Sequence, residues 1–219
     1  MRRVKKNVRK YDGKRRRLEA HRSYDAIVDA ARAAFEGSGY AAVTVAGIAR
    51  AAGVSVETIY KRFGGKPGLV RAIYERGLAG RGVVPAPRRS DAISDREDDP
   101  YAIVQQWGAF AAEVSPLAAP IMLLVRSAAA TEPSLAAVIV DANAQRLTRM
   151  RHNARKLAKR GFLRPGVSAA RAADVLWTLV APEFYELLVV RRGWSPAQFG
   201  RFVAEVMAAT LLPTRSTER

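Results

Sequence analysis

Apolar positions along the chain recur three and four residues apart, and no stretch sustains an alternation of period two, so the pattern predicts helices and no strands. Ile27, Ala30, Ala31, Ala34 and Phe35 keep helical spacing and predict a first helix over about Ser23–Glu36, ended by Gly37-Ser38-Gly39. Two short helices follow within Val45–Phe63, with Ile48 and Ala52 on one inner stripe and Ile59 and Phe63 on the next. Gly64-Gly65 breaks the chain, and Lys66-Pro67 opens another helix with Leu69, Val70 and Ile73 inward. That pattern fades near Gly77–Gly82. It resumes in five more predicted helices. The first, about Pro100–Val114, turns Val104, Trp107, Phe110 and Ala111 inward, and the second, about Leu117–Ala130, is apolar nearly all round and therefore central. A long third helix runs from near Pro133 to Gly161 on a stripe that includes Leu135, Val138, Leu147, Met150, Ala154 and Leu157. Ser168 caps a fourth, reaching about Val190, and Ser195-Pro196 starts a fifth that ends at Pro213.

Five segments are expected. Residues 1–22 form a basic, disordered arm, and residues 23–80 a helical unit with a connecting helix. Residues 81–100, with three prolines and a cluster of acids, form a linker. A larger helical domain covers 101–213, followed by a tail over 214–219.

The two short helices carry specific end signals. Thr44 is placed to cap the first, and Gly53 stands where a chain leaving a helix takes a left-handed backbone angle. Ser55 is the N-cap of the second, and Ala49 is small enough to let that helix cross close over the first. Together they predict a helix-turn-helix. With Ile59 and Phe63 inward, the second helix turns Val56, Glu57, Thr58, Tyr60 and Lys61 outward. This set of an apolar contact, an acceptor, a hydroxyl, a phenol and a cation suits base edges and phosphates in a major groove. An ordinary solvated hairpin is the competing reading.

Charge supports a polyanionic partner. The 219 residues carry a formal charge of +17, and residues 1–22 alone hold eleven Lys or Arg against two acids. That arm is either a solvated tail or an extension along DNA, with Arg15, Arg16 and Arg17 nearest the folded part. The long helix carries Arg146, Arg149, Arg151, Arg155, Lys156, Lys159 and Arg160 without an intervening acid. It is either a solvated face or a site for an anionic effector or a second polyanion. There is no cysteine, which excludes disulfides and thiolate metal sites. His21 and His152 have no ligand-spaced partners. No phosphate loop or catalytic triad motif is present, so no enzyme, metal or cofactor is expected. The longest apolar run, Leu117–Val125, is too short to span a bilayer, and no membrane partner or secretory signal is expected. The expected compartment is the cytoplasm.

The run Thr44-Val45-Ala46-Gly47-Ile48-Ala49, then Ala52-Gly53-Val54-Ser55, Thr58-Ile59-Tyr60, Phe63 and Lys66, resembles in order and spacing the signature of the tetracycline-repressor (TetR) family of regulators. A weaker likeness to many members continues through Gly161–Gly166, Ala173–Trp177 and Arg192–Ser195. The resemblance implies an all-α homodimer. An N-terminal three-helix helix-turn-helix domain would bind double-stranded DNA, and a C-terminal helical domain would dimerise and bind a small-molecule effector. By position it implies phosphate contacts for Thr44, Tyr60 and Lys66, a phosphate or base contact for Thr58, and base edges for Val56, Glu57 and Lys61. Pro67-Gly68 departs from the family, which commonly has an acid after the lysine.

A single two-helix reader makes few base contacts, so two-fold doubling is expected to supply affinity and half-site spacing. Leu176, Leu179, Leu187, Phe199, Phe202, Val203, Val206 and Met207 offer an apolar face for that dimer, or core for the monomer. Trp107, Phe110, Met122, Trp177, Phe184 and Tyr185 are candidates to line an effector pocket, with Pro182 expected to kink its helix and open space. The expected function is a sequence-specific DNA-binding regulator, in the family's usual mode a repressor released from a palindromic operator by an effector. The alternative is a nonspecific nucleic-acid-coating protein driven by charge alone.

Overall fold

The computed structural model describes residues 6–215, with side chains described from residue 15 onward. Residues 1–5 of the expected arm and 216–219 of the expected tail lie outside the described residues. Every regular element among those described is a helix. The chain divides into two units, residues 1–73 and 74–219. The division falls inside the connecting helix and not near residue 80; Tyr74 is buried in the second unit, and Gly77 packs against the backbone of Leu117 and Ala118.

In the first unit, α1 (Lys6–Ala42) is followed by α2 (Val45–Ala52), α3 (Val56–Phe63) and the opening turns of α4 (Lys66–Ala79). The expected disordered arm is helical from Lys6 onward, continuous with the first predicted helix. Its Arg, Lys, Leu and Glu residues are strong helix formers, and Arg15 Nε pairs with Glu19 Oε1 one turn on at 2.9 Å. The glycine stop acts where expected: Gly39 has φ 75° and interrupts the helical geometry before the chain turns towards α2. Ile27, Val28, Ala31, Phe35, Ile48, Ile59, Leu69, Val70 and Ile73 are each 1% exposed or less and form one core. Burial of that order stabilises by about 1.5–3 kcal/mol for each large side chain.

Gly68, the departure noted in the sequence, has a steric cause. A Cβ there would lie 1.6 Å from the Phe63 carbonyl oxygen, so the first turn of α4 approaches the end of α3 closer than any side chain allows. The expected start of this helix at Lys66 holds.

The second unit contains α5 (Ala86–Arg96), α6 (Pro100–Ala128), α7 (Ser134–Lys159), α8 (Ala169–Leu179), α9 (Pro182–Tyr185), a π-helical turn at Glu186–Arg191, and α10 (Pro196–Leu211). Most of the expected linker is therefore helix. α5 buries Ala86, Ser90 and Ser94, and its acids face the basic run of α7. Asp91 meets Arg149 at 2.9 Å and Lys156 at 3.3 Å, and Asp95 meets Lys156 at 2.8 Å.

The two helices expected over 100–130 are one. α6 runs through Pro116 and Pro120, each of which removes a backbone donor. Burial on both sides of the prolines, from Ile103 and Trp107 to Ile121 and Val125, holds the helix together. α6 is long and apolar enough to cross a membrane by length and composition, unlike the short run expected, yet many of its residues form the core of this unit. It crosses α10 at paired glycines: a Cβ on Gly108 would lie 2.3 Å from Gly200 O, and one on Gly200 2.4 Å from Gly108 O. The helix expected over 168–190 ends at Leu179, and after Pro182 it resumes as a single turn and a π-helical segment. Ser195 and Gln198 cap α10 reciprocally.

Candidate nucleic-acid interface and internal cavity

The first unit presents α3 as a clamped helix with one bare face. Thr44 Oγ1 accepts from Gly47 N at 3.1 Å and starts α2. Gly53, at φ 66°, ends it and returns its N–H to Ala49 and Arg50 carbonyls. Ser55 Oγ accepts from Thr58 N at 3.2 Å and lies 2.9 Å from Thr58 Oγ1. Caps of this kind are worth about 1 kcal/mol each, and they fix where α3 begins. Ile59 is fully buried beneath it and Phe63 is half-buried against Tyr24, with ring centroids 5.4 Å apart.

The opposite face is open. Val56 is 39% exposed and Tyr60 55%, and Glu57 and Lys61 are exposed beside them. Thr58 is half-buried, and Thr44 and Ser55 are exposed with their oxygens engaged as caps. Val56, Glu57, Tyr60 and Lys61 thus stand exposed on α3, while Thr44 and Ser55 sit at the starts of α2 and α3. Gly65 lies beneath Tyr60, where a Cβ would stand 3.4 Å from the ring.

Lys66 differs from expectation. Its Nζ donates to Tyr40 O at 2.7 Å and Val43 O at 3.0 Å, and stands 4.2 Å from the Tyr40 ring centroid. This half-buried ammonium ties α4 to the carbonyls at the end of α1, which lack helical partners. Arg62, not singled out in the sequence, donates to Ala20 O at 2.9 Å and sits over the Tyr24 ring, holding α1 against the end of α3. Arg15, Arg16 and Arg17 lie exposed on α1.

The second unit contains a partly open cavity of about 240 Å³. Trp107, Phe110, Ala111, Met150, Leu176 and Met207 are among its apolar lining. Tyr74, Ser90, Ser115, Gln145, Arg146, Arg149 and Asn153 supply its polar groups. Tyr74 is buried, which raises its pKa, against the opposing pull of the Arg146 charge.

Residues 27–73 match the family model described as bacterial regulatory proteins, tetR family. The N-terminal domain belongs to the tetR family. No curated protein matches the chain by sequence. Among solved structures, SmeT in complex with triclosan is 23% identical, with 88% of this chain and 93% of that one covered at a TM-score of 0.67. The fatty acid degradation regulator FadR from Bacillus halodurans is 17% identical, covering 84% and 94% at a TM-score of 0.67. NalD, the secondary repressor of the MexAB-OprM multidrug efflux pump in Pseudomonas aeruginosa, is 19% identical, covering 90% and 99% at 0.60. These likenesses show a shared fold across both units: a helix-turn-helix domain followed by a helical domain.

In the second unit the expected pocket residues separate. Trp107 and Phe110 line the cavity, whereas Met122 lines a smaller neighbouring recess with Arg126 and Glu183. Trp177 lies under the Arg146 guanidinium, 4.7 Å from it. Phe184 stacks on Phe202, and Tyr185 meets Phe199 edge-on at 5.6 Å. These last two are packing residues, since the break at Pro182 turns their side chains towards α10. The expected dimer face also divides. Leu176, Leu179, Phe199, Val203 and Met207 are buried in the unit's own core, because α10 packs on α6 while α8 packs on α7 and on α10. Leu187, 51% exposed, and the half-buried Phe202 and Val206 are what remains at the surface. The cavity's contribution from α5 was not foreseen, whereas the basic run of the long helix, one of whose two readings was an anionic-effector site, supplies Arg146 and Arg149 to the lining.

Proposed function

We propose that this tetR-family regulator binds a palindromic operator as a homodimer, one α3 in each of two successive major grooves. The single observation that carries this reading is the bare face of α3, where Val56, Glu57, Tyr60 and Lys61 stand exposed on a helix fixed at both ends. In this reading Tyr60, Thr44 and the Thr58 hydroxyl hold phosphates, Ser55 sets the helix start, and Val56, Glu57 and Lys61 read base edges. Lys66 acts by positioning, since its ammonium is already engaged with two carbonyls. Arg15, Arg16 and Arg17 add phosphate contacts from α1. Leu187, Phe202 and Val206 contribute to the subunit interface. The protein acts where its DNA is, in the cytoplasm.

We further propose that a small-molecule effector enters the cavity of the second unit and releases the operator. NalD is described as a repressor, and SmeT is described with a bound small molecule, which supports this mode. α4 is a continuous helix that begins in the first unit at Lys66 and carries the cavity residue Tyr74. A ligand that binds better to one state of that helix shifts the operator equilibrium by that difference in affinity and no more.

Selection of bound sequences from random duplex DNA tests the reading. A palindrome with half-sites one helical turn apart, or a multiple of it, is expected. Equal recovery of unrelated sequences would instead establish a charge-driven coating protein.

A further inference from the structure

Arg146 is a cation without a counter-charge. No carboxylate among the described residues pairs with it, although Arg149 and Lys156 on the same helix, and Arg160 at its C-cap, each meet an acid of α5 or of the turn after it. Its guanidinium donates a hydrogen bond to a neutral acceptor, Asn143 Oδ1, at 3.1 Å. The guanidinium lies over the Trp177 ring, a contact that engages the π face and uses no acceptor. Its Nε is buried with no protein partner. Burial disfavours the charged form, and the positive charge of Arg126 adds to that, while Tyr74 opposes it. Arg126 itself is paired with Glu183. A partly buried charge in this condition carries a desolvation cost that a neutralising partner would offset.

The surroundings say what that something is. Arg146 lines the 240 Å³ cavity, whose wall is otherwise mainly apolar. Two further buried polar atoms on that wall have no protein partner: Trp107 Nε1, a donor, and Oδ1 of Asn153, a residue 5% exposed. Two of the three unpaired atoms are therefore donors. An apolar chamber with a forked cationic donor at its wall matches a molecule that is hydrocarbon along most of its length and anionic at one end.

We propose that the cavity takes an amphiphilic carboxylate, with the Arg146 guanidinium gripping its head group and the Trp107, Phe110 and Met150 side chains packing its hydrocarbon. This rests on the reading of the cavity as the effector site and supplies the class of molecule that fills it. The carboxylate replaces the missing counter-charge, so its binding is stronger than that of a neutral molecule of equal length.

The test uses the full chain and titration calorimetry with octanoate, decanoate and dodecanoate, each beside its alcohol and its amine. Decanoate or its best homologue is expected to bind about tenfold or more tighter than the matching alcohol, and the amine weakest. Arg146→Gln should bring the carboxylate down to the level of the alcohol, and Arg146→Lys should keep part of the preference. Equal binding of alcohol and carboxylate by the wild-type chain overturns the charge assignment and leaves the cavity as an apolar effector site. A preference that survives Arg146→Gln overturns Arg146 as the reader. Binding of none of the nine molecules overturns the proposal outright. None of these outcomes bears on the palindrome selection, which needs no ligand.

Discussion

Replacing Lys66 with methionine removes three N–H donors and keeps the length and apolar stem of the side chain. Two of those donors reach carbonyl oxygens of Tyr40 and Val43, at 2.7 and 3.0 Å, where α1 gives way to α2. A hydrogen bond from a charged donor contributes about 1.5–3 kcal/mol, and partial exposure places these at the lower end, so the pair is worth roughly 3 kcal/mol. Against a total of about 5–15 kcal/mol for a domain, that is a large share. Urea unfolding followed by circular dichroism should show the loss. Operator affinity across a salt series separates the two roles open to this lysine. A positioning role predicts lower affinity at every salt concentration with the same slope. A phosphate contact predicts a slope shallower by roughly 0.9 per subunit, because one counterion fewer is released. Unchanged stability together with the shallower slope would refute the positioning role and return Lys66 to the phosphate backbone.

Other outcomes follow from single contacts. Gly68→Ala would gain about 1 kcal/mol on helix propensity alone, but its Cβ would lie 1.6 Å from Phe63 O, so a net loss of about 3 kcal/mol or more is expected in thermal unfolding; a stabilised variant would contradict the close approach. Asp91 is partly desolvated, which raises its pKa, but hydrogen bonds and charges from Arg149 and Lys156 outweigh this and lower it from 3.8 to about 2. A depressed carboxylate stabilises the fold above its unfolded pKa and loses that contribution as pH falls through its folded pKa. Asp91→Asn should therefore cost about 1–2 kcal/mol at neutral pH after solvent screening, with the difference from wild type vanishing between about pH 4 and pH 2; a pH-independent difference would exclude the ion pairs as its cause. Deleting residues 1–17 should weaken operator binding and flatten its salt dependence, and an identical slope would show that this basic segment touches no phosphate.

What could be read in the sequence was governed by local rules. Thr44, Gly53 and Ser55 act through their nearest neighbours, and each caps or ends its helix as its residue type predicts. The stripes through Ile48 and Ile59 needed only a period of 3.6. What could not be read depends on partners distant in the chain. α5 has a thin apolar face, and much of what holds it comes from Arg149, Lys156 and Arg160, more than fifty residues on. Beyond its end, Asp99 caps α6, accepting from Tyr101 N at 2.9 Å. α6 continues through Pro116 and Pro120 because packing along its whole length offsets a local penalty. The cavity lining mixes residues of α4 to α10, so aromatic spacing within one helix located only Trp107 and Phe110.

The distribution of charge bears on which unit meets a polyanion. Residues 1–73 hold 17 Lys or Arg against 6 acids, or +11 of the chain's +17, although they are a third of its length. The basic run of α7, which in the sequence rivals the N-terminal arm, is largely turned to internal uses. Arg149, Lys156 and Arg160 meet acids, and Arg146 faces the cavity. Pairing of this kind shortens the reach of a charge, since an ion pair presents a dipole and not a monopole to a ligand beyond a Debye length of about 8–10 Å. A coating protein would gain from cations spread over the whole surface. Here the excess is concentrated in the unit that also carries the bare face of α3, so that in the proposed reading attraction to phosphate and the reading of base edges would act on the same duplex.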